Sequence, residues 1–232
     1  MKTYIDRQKV RTRATWATFL SVGGLLLLLA SVLIPLFIPA MASVSLLLFA
    51  VGGIVAMVGI YYSNRWVRKP RPEVSLGDAL KALDDRYRLY HYSDLPCDHL
   101  LLTPTGVIGM EVVNLAGSFS YRSGRWKEAM TIGRAMRYIV EPRVVDPVVV
   151  AQAQKDELTR RLTEQLGIRA DVPLKILTVF THPAVDLEAE GGATFPACKI
   201  AKLRKQTTLS ANRLDAETYE QLASYFERRT LD

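Results

Sequence analysis

The run Cys97-Asp98-His99-Leu100-Leu101-Leu102-Thr103-Pro104-Thr105-Gly106-Val107-Ile108-Gly109-Met110-Glu111-Val112-Val113-Asn114 decides how the carboxyl-terminal part of this chain folds. Cys97 to Thr103 and Val107 to Asn114 are largely apolar segments of strand length. Pro104-Thr105-Gly106 between them supplies a turn, so the two read as a β-hairpin. Each strand carries one acid, Asp98 on the first and Glu111 on the second. A tight turn can bring both to the same end of a sheet, where carboxylate oxygens suit a hard divalent cation such as magnesium. The plainer alternative is a pair of ordinary polar residues at strand ends, neutralised by Arg or Lys.

Upstream, Tyr87 to Tyr92 reads as a further strand, and Ser75-Leu76-Gly77-Asp78 resembles a capping box opening a helix that runs to about Asp85. Downstream, Ser118 to Tyr121 and the residues around Trp126 suggest a second antiparallel pairing, closed by Ser123-Gly124. From about Pro147 to Leu166 the pattern is helical, with Val150, Leu158, Leu162 and Leu166 among polar residues and Gly167 as the stop. Leu174 to Phe180 is the continuous apolar run of an interior strand. A glycine break at Gly191-Gly192 precedes a short element near Cys198 to Ile200. Asp215 then caps a last helix with an apolar stripe of Leu214, Tyr219, Leu222, Tyr225 and Phe226.

The apolar residues, 49% of the chain, concentrate near its start. Trp16 to Ile38 and Met41 to Tyr62 contain no charged side chain. At about 1.5 Å of rise per residue, each run as a helix covers a hydrocarbon layer of roughly 30 Å. The first run is too long for a secretory signal, and a second span follows at once. Only Pro39-Ala40 separates the runs, so they form an antiparallel hairpin that returns the chain to its starting side. Lys2, Arg7, Lys9, Arg11 and Arg13 precede it, and Arg65, Arg68, Lys69 and Arg71 follow it. The positive-inside bias therefore predicts a two-span protein of the cell membrane with both termini in the cytoplasm. Glycine pairs at 23–24 and 52–53 permit close helix contact, but no small-xxx-small motif stands out.

The expected organisation is a basic cytoplasmic segment over 1–15, a transmembrane hairpin over 16–62, a juxtamembrane linker over 63–74 and an α/β domain over 75–232. The net charge of +7 comes in good part from the amino-terminal segment, so it does not diagnose nucleic-acid binding. The juxtamembrane cations attract anionic headgroups of the lipid bilayer. Cys97 and Cys198 lack metal spacing and read as free thiols. His91, His99 and His182 likewise lack ligand spacing. Trp126 and the tyrosines between 87 and 92 fit a core better than a base-stacking platform, and Lys199, Lys202, Arg204 and Lys205 fit a solvated helix face.

Taken in order, these residues resemble the NERD (nuclease-related) domain, a branch of the restriction-endonuclease-like PD-(D/E)xK superfamily. In that family an acidic opening helix precedes a strand carrying Ile-Asp-His or similar. A Thr-Pro-x-Gly turn follows, then a strand reading Glu-x-Lys-Asn with a glycine soon after. The corresponding positions here look like Gly77-Asp78, Asp98-His99, Thr103 to Gly106, then Glu111, Val113, Asn114 and Gly117. Trp126 and the stretch Asp146-Pro147 to Gln152-Ala153 look like the family's later tryptophan and its Asn-Pro-then-Gln helix, with a longer spacing before Gln152.

The resemblance implies a mixed β-sheet flanked by helices, with Mg2+ held by Asp98, Glu111 and Asp78. Asp98, Glu111 and Gln152 would be the catalytic set, acting on DNA or RNA. The family's lysine, which positions water and stabilises charge developing on phosphate, is here Val113. Valine can do neither, and Lys127 or Lys155 are the candidates to supply the charge from another position. The expected role is nucleic-acid binding or processing by a membrane-anchored, catalytically degenerate domain. Two alternatives stand beside it: a membrane scaffold that engages a protein partner, and an active magnesium-dependent nuclease with a relocated lysine.

Overall fold

Two long helices, α1 (Arg7–Phe37) and α2 (Ala42–Trp66), are joined by a 3-10 turn at Pro39–Met41. The computed structural model describes residues 1–67, 69–131, 144–167, 172–190, 195–207, 209 and 212–231, so Arg68 and Gly191-Gly192 lie outside the described residues. The chain divides into two compact units, the helical hairpin being one of them. Both helices are long and apolar enough to cross a membrane. Their large apolar side chains point outward, Leu36 being 71% and Leu46 73% exposed, which costs little only where lipid replaces water.

Within the hairpin the buried positions recur every seven residues: Val10, Ala17, Gly24 and Ser31 on α1, and Ser45, Gly52, Gly59 and Trp66 on α2. A Cβ at Gly24 would lie 2.4 Å from the Ala56 nitrogen, and one at Gly59 2.4 Å from the Ser21 nitrogen. The two backbones therefore touch through glycine. The small-residue signal has a period of seven rather than four, which is the period of a left-handed helix pair. Ser21 and Ser63 share a hydrogen bond at 3.2 Å, the Ser45 hydroxyl donates to the Ser31 carbonyl, and the Arg13 guanidinium lies 4.9 Å above the Trp66 ring.

The second unit holds a six-stranded sheet and a three-stranded one. In chain order its elements are β1 (Lys2–Ile5), α3 (Pro72–Leu80), β2 (Arg88–His91), β3 (His99–Thr103), β4 (Gly106–Val113), β5 (Gly117–Arg122), β6 (Arg125–Glu128) and α4 (Pro147–Leu166). Then come β7 (Leu174–Phe180), β8 (Val185–Ala189), β9 (Ala197–Lys199), a 3-10 helix (Ile200–Gln206) and α5 (Ala216–Leu231). The large sheet runs β1-β2-β3-β4-β7-β9 and the small one β6-β5-β8. Strand β3 is antiparallel to its neighbours, while β1 and β2, β4 and β7, and β7 and β9 pair in parallel.

Most boundaries follow the expected chemistry. The Asp146 carboxylate accepts from the Val148 nitrogen at 2.9 Å, and Gly167 closes α4 in the left-handed conformation. Asp215 accepts from the Thr218 nitrogen at 2.8 Å ahead of α5. Strand β8 forms where no strand was expected, and two segments near the start of the chain also depart from expectation. Helix α3 begins at Pro72 rather than at Ser75 and stops at Leu80, because proline's fixed φ suits the first turn and Glu73 complements the helix dipole there. Residues 2–5, expected in a basic tail, form edge strand β1, with the Tyr4 ring stacked 4.9 Å from Tyr90.

One face of the large sheet packs Leu100, Leu102, Val107 and Ile176 against Leu158 and Leu162 of α4 and Leu222 and Phe226 of α5. The opposite face packs Leu89, Leu101, Ile108, Met110 and Leu177 against Leu76 and Leu80 of α3 and Leu203 of the 3-10 helix. A third cluster, Phe119, Val144, Phe180, Val185 and Phe195, serves the small sheet. Trp126 stacks on Phe119 at 5.6 Å and donates its indole N–H to the Val144 carbonyl, so it fills this core.

Candidate active site

The β3–β4 hairpin sets the site by register. Its pairs run from Thr103 opposite Gly106 to His99 opposite Met110. Gly106 is required at the turn: its φ is +144°, and a Cβ there would meet the Pro173 carbonyl at 2.2 Å. Directly opposed residues share a face, and faces alternate along the strand. Glu111 follows the last pair on β4 and Asp98 stands in the bend just before β3; the register, continued by one step, would oppose them on the side that Leu100, Leu102 and Val107 present to α4. Gly109 makes room beside them, since a Cβ there would lie 2.4 Å from the Cys97 sulfur. Strand β7 backs the position, with Thr178 opposite Glu111.

Helix α4 closes the site with Gln154. Its Oε1 accepts from the Cys97 thiol at 3.4 Å, and its Nε2 donates to Glu111 Oε2 at 3.4 Å. Burial above all, then the carboxylates of Glu111 and Asp98, pushes the Cys97 thiol up to about 12. Both acids thus act on the same sulfur. That thiol stays protonated near neutral pH and is no nucleophile.

A second set of contacts approaches from α3. The Tyr92 hydroxyl donates to Glu73 Oε2 at 2.7 Å, and the Tyr92 backbone N–H donates to the Asp98 carbonyl. Tyr92 holds a left-handed φ of 58°, a conformation non-glycine residues rarely adopt. Beneath it, His91 and His99 face one another with their Nδ1 atoms 2.9 Å apart, and the Tyr92 ring lies 4.9 Å from that of His99. Burial, then the neighbouring His99, holds His91 well below the ordinary imidazole range.

The expected residues distribute unevenly. Asp98 and Glu111 both lie within electrostatic reach of the Cys97 thiol, and both are partly buried. Gln152 lies on the exposed side of α4, its amide donating to Asp156 at 2.8 and 3.0 Å. Asp78 is exposed near the end of α3, whose buried residues pack on the other face of the sheet. Lys127 is exposed on β6 and Lys155 on α4. Val113 shares the parity of Glu111 along β4 and packs half-buried beside Phe119, Phe180 and Phe195, while its carbonyl accepts from the Thr181 nitrogen at 3.0 Å.

Cys97, Gln154 and Glu73 are the residues that sequence reasoning missed. For Gln154 the signal was present: 154, 158 and 162 fall four apart, and Leu158 and Leu162 are buried residues of α4. Among the described residues no group of three or more His, Cys, Asp or Glu is arranged to hold a metal ion. The remaining donor set is the pair Asp98 and Glu111. It fits a hard cation that takes one or two carboxylates and completes its shell with water and phosphate oxygens.

Compared with known families, residues 71–181 match the model of the nuclease-related domain (NERD). No curated protein and no solved structure matches the chain.

Proposed function

We propose that this nuclease-related domain, carried on a membrane hairpin, binds or processes nucleic acid through a site descended from a magnesium-dependent phosphodiesterase, with cleavage lapsed. The observation that carries this reading is the convergence of the Asp98 and Glu111 carboxylates on the Cys97 thiol, with Val113 two residues beyond Glu111 in an apolar cluster. Asp98 and Glu111 would hold the cation. Bound there, Mg2+ would supply Lewis acidity to a phosphate. Gln154 fixes the Glu111 carboxylate by donating to it, and its carbonyl takes up the Cys97 thiol so that the amide cannot flip freely.

What such a site lacks is the lysine ammonium that orients water and neutralises charge on the phosphate. Valine at 113 supplies neither charge nor hydrogen bond. The exposed positions of Lys127 on the small sheet and Lys155 on the outer side of α4 give no support to a relocated lysine. The half-buried setting of Val113 lets a lysine stem run along apolar surface with its ammonium at the edge of the cleft.

The test is cleavage of DNA and RNA by the full chain with magnesium or manganese. Wild type is expected to be inactive and Val113→Lys to cleave, at a cost of about 1–3 kcal/mol of stability from the apolar surroundings. Adding Glu111→Ala should abolish the gained cleavage. Cleavage by wild type that either acid substitution removes would instead establish an active nuclease. No cleavage and no salt-sensitive nucleic-acid affinity in any variant would leave the domain as a protein-binding scaffold. Localisation to the cell membrane with both termini in the cytoplasm belongs to the same proposal. It is supported by the cationic flanks and by the fact that β1, before the hairpin, pairs with β2, after it.

A further inference from the structure

Asp98 is the last residue of the connection between β2 and β3, residues 92–98, which has no regular structure of its own. Where its carboxylate comes to rest therefore depends on what closes that connection. The Tyr92 N–H donates to the Asp98 carbonyl across the base, and the Ser93 hydroxyl donates to the Cys97 carbonyl at 3.3 Å. The middle is tied to the helices of one sheet face. There the Asp94 N–H donates to the Arg229 carbonyl of α5 at 2.8 Å, and Arg161 of α4 donates to the Asp94 carbonyl at 3.0 Å. The first residue is tied to the helix of the other face, since the Tyr92 hydroxyl reaches Glu73 in the first turn of α3 at 2.7 Å. All of these residues belong to the sheet-bearing unit. Tyr92 is where the chain leaves the sheet, and its φ of 58° sets the direction taken by residues 93–98. A side chain bearing a Cβ enters this region at a cost, so the turn must be held from outside. Two contacts hold it: the ring packs edge-on 4.9 Å from that of His99, and the hydroxyl is anchored on Glu73.

We infer that Tyr92 and Glu73 are positioning residues for Asp98. The inference rests on the reading of Asp98 and Glu111 as a cation site, and it adds a pair of residues that no sequence motif marks. Glu73 fixes the phenol, the phenol holds the left-handed turn, and the turn sets the backbone from which the Asp98 carboxylate projects. A cation of the magnesium class demands near-ideal geometry, so a carboxylate on a loosened connection binds it less well. The link runs through backbone and not through the carboxylate itself. Its loss therefore weakens the site without removing a ligand.

The experiment is Mn2+ binding to the full chain in detergent, read by electron paramagnetic resonance, in wild type and in variants of the pair. Tyr92→Phe and Glu73→Ala should each weaken binding by about three- to tenfold, at or below the low end of an outer-shell partner's contribution. Both remove the same hydrogen bond, so the double variant should be no weaker than either single one. Glu73→Gln, whose amide carbonyl still accepts from the phenol, should restore most of the affinity. Tyr90→Phe loses a hydroxyl on the same strand that is bonded instead to the Ala223 carbonyl at 3.4 Å, and it should change nothing. Weakening of the same size in Tyr90→Phe would reduce the effect to a general loss of stability and overturn the inference. So would unchanged binding in Tyr92→Phe and Glu73→Ala where Asp98→Ala weakens it, a result that leaves the cation site itself standing. Equal loss in Glu73→Ala and Glu73→Gln with none in Tyr92→Phe would make Glu73 a ligand and overturn its positioning role. No binding by wild type would overturn the cation reading, and this inference with it.

Discussion

The Gln154 amide donates to Glu111, whose charge adds to burial in keeping the Cys97 thiol protonated. Burial is the larger cause of the raised Cys97 value and the two carboxylates the smaller. Glu111→Gln should therefore lower the thiol from about 12 without returning it to the ordinary range. The pH dependence of thiolate absorbance reads this, and an unchanged profile would detach Glu111 from Cys97. The histidine pair gives a prediction of opposite sign in pH. His91 titrates below its unfolded value, near 6.5, so between the two values the unfolded chain binds the extra proton. Its contribution to stability is complete above about pH 6.5 and is lost as pH falls, by up to about 1.4 kcal/mol per pH unit. Urea midpoints of wild type should drop between about pH 7 and pH 5, and His91→Gln should flatten that drop. The sequence exposes Asp98 and Glu111 because a hairpin turn and two lone acids are local signals. It hides Glu73 because its partner, Tyr92, lies 19 positions away in a backbone conformation that no composition announces.

At the scale of elements, the helices with caps at both ends are the legible ones. Gly167 ends α4 in the structure as the sequence indicates, and Asp146 caps its start. Helix α3 begins early because a Ser-x-x-Asp pattern yields to a proline that already has helical φ three residues before it. The hairpin was legible as two antiparallel spans with glycines for close contact, but its contact motif was not, since the contact residues recur at intervals of seven and include serine and tryptophan beside glycine. The pairing is directly testable. Ser21→Cys with Ser63→Cys should form a disulfide readily, because the two hydroxyls lie 3.2 Å apart. Adding Gly24→Leu should abolish that cross-link, since any side chain there meets the Ala56 backbone. Cross-linking that survives Gly24→Leu would mean that the helices do not meet through these glycines.

Across the whole molecule, the feature least visible in the sequence is β1. Four residues before a membrane helix read as a charged tail, and only the pairing of Lys2 to Ile5 with Arg88 to His91 makes them part of the sheet. The amino terminus is fixed as well, donating to the Leu83 carbonyl at 3.0 Å and facing Asp85 at 3.0 Å. Long-range parallel pairing of this kind leaves no local signature, because its partner lies beyond both helices. The fold that results brings Asp98 and Glu111, the acids of the proposed site, to the end of the sheet where strands β1, β2 and β4 finish. Whether those two carboxylates act as one site is answered by Mn2+ binding to the full chain in detergent, followed by electron paramagnetic resonance. Asp98→Ala and Glu111→Ala should each weaken binding by at least about tenfold, with Asp78→Ala leaving it unchanged. Binding that is absent in wild type, or that persists undiminished in Glu111→Ala, would contradict the account.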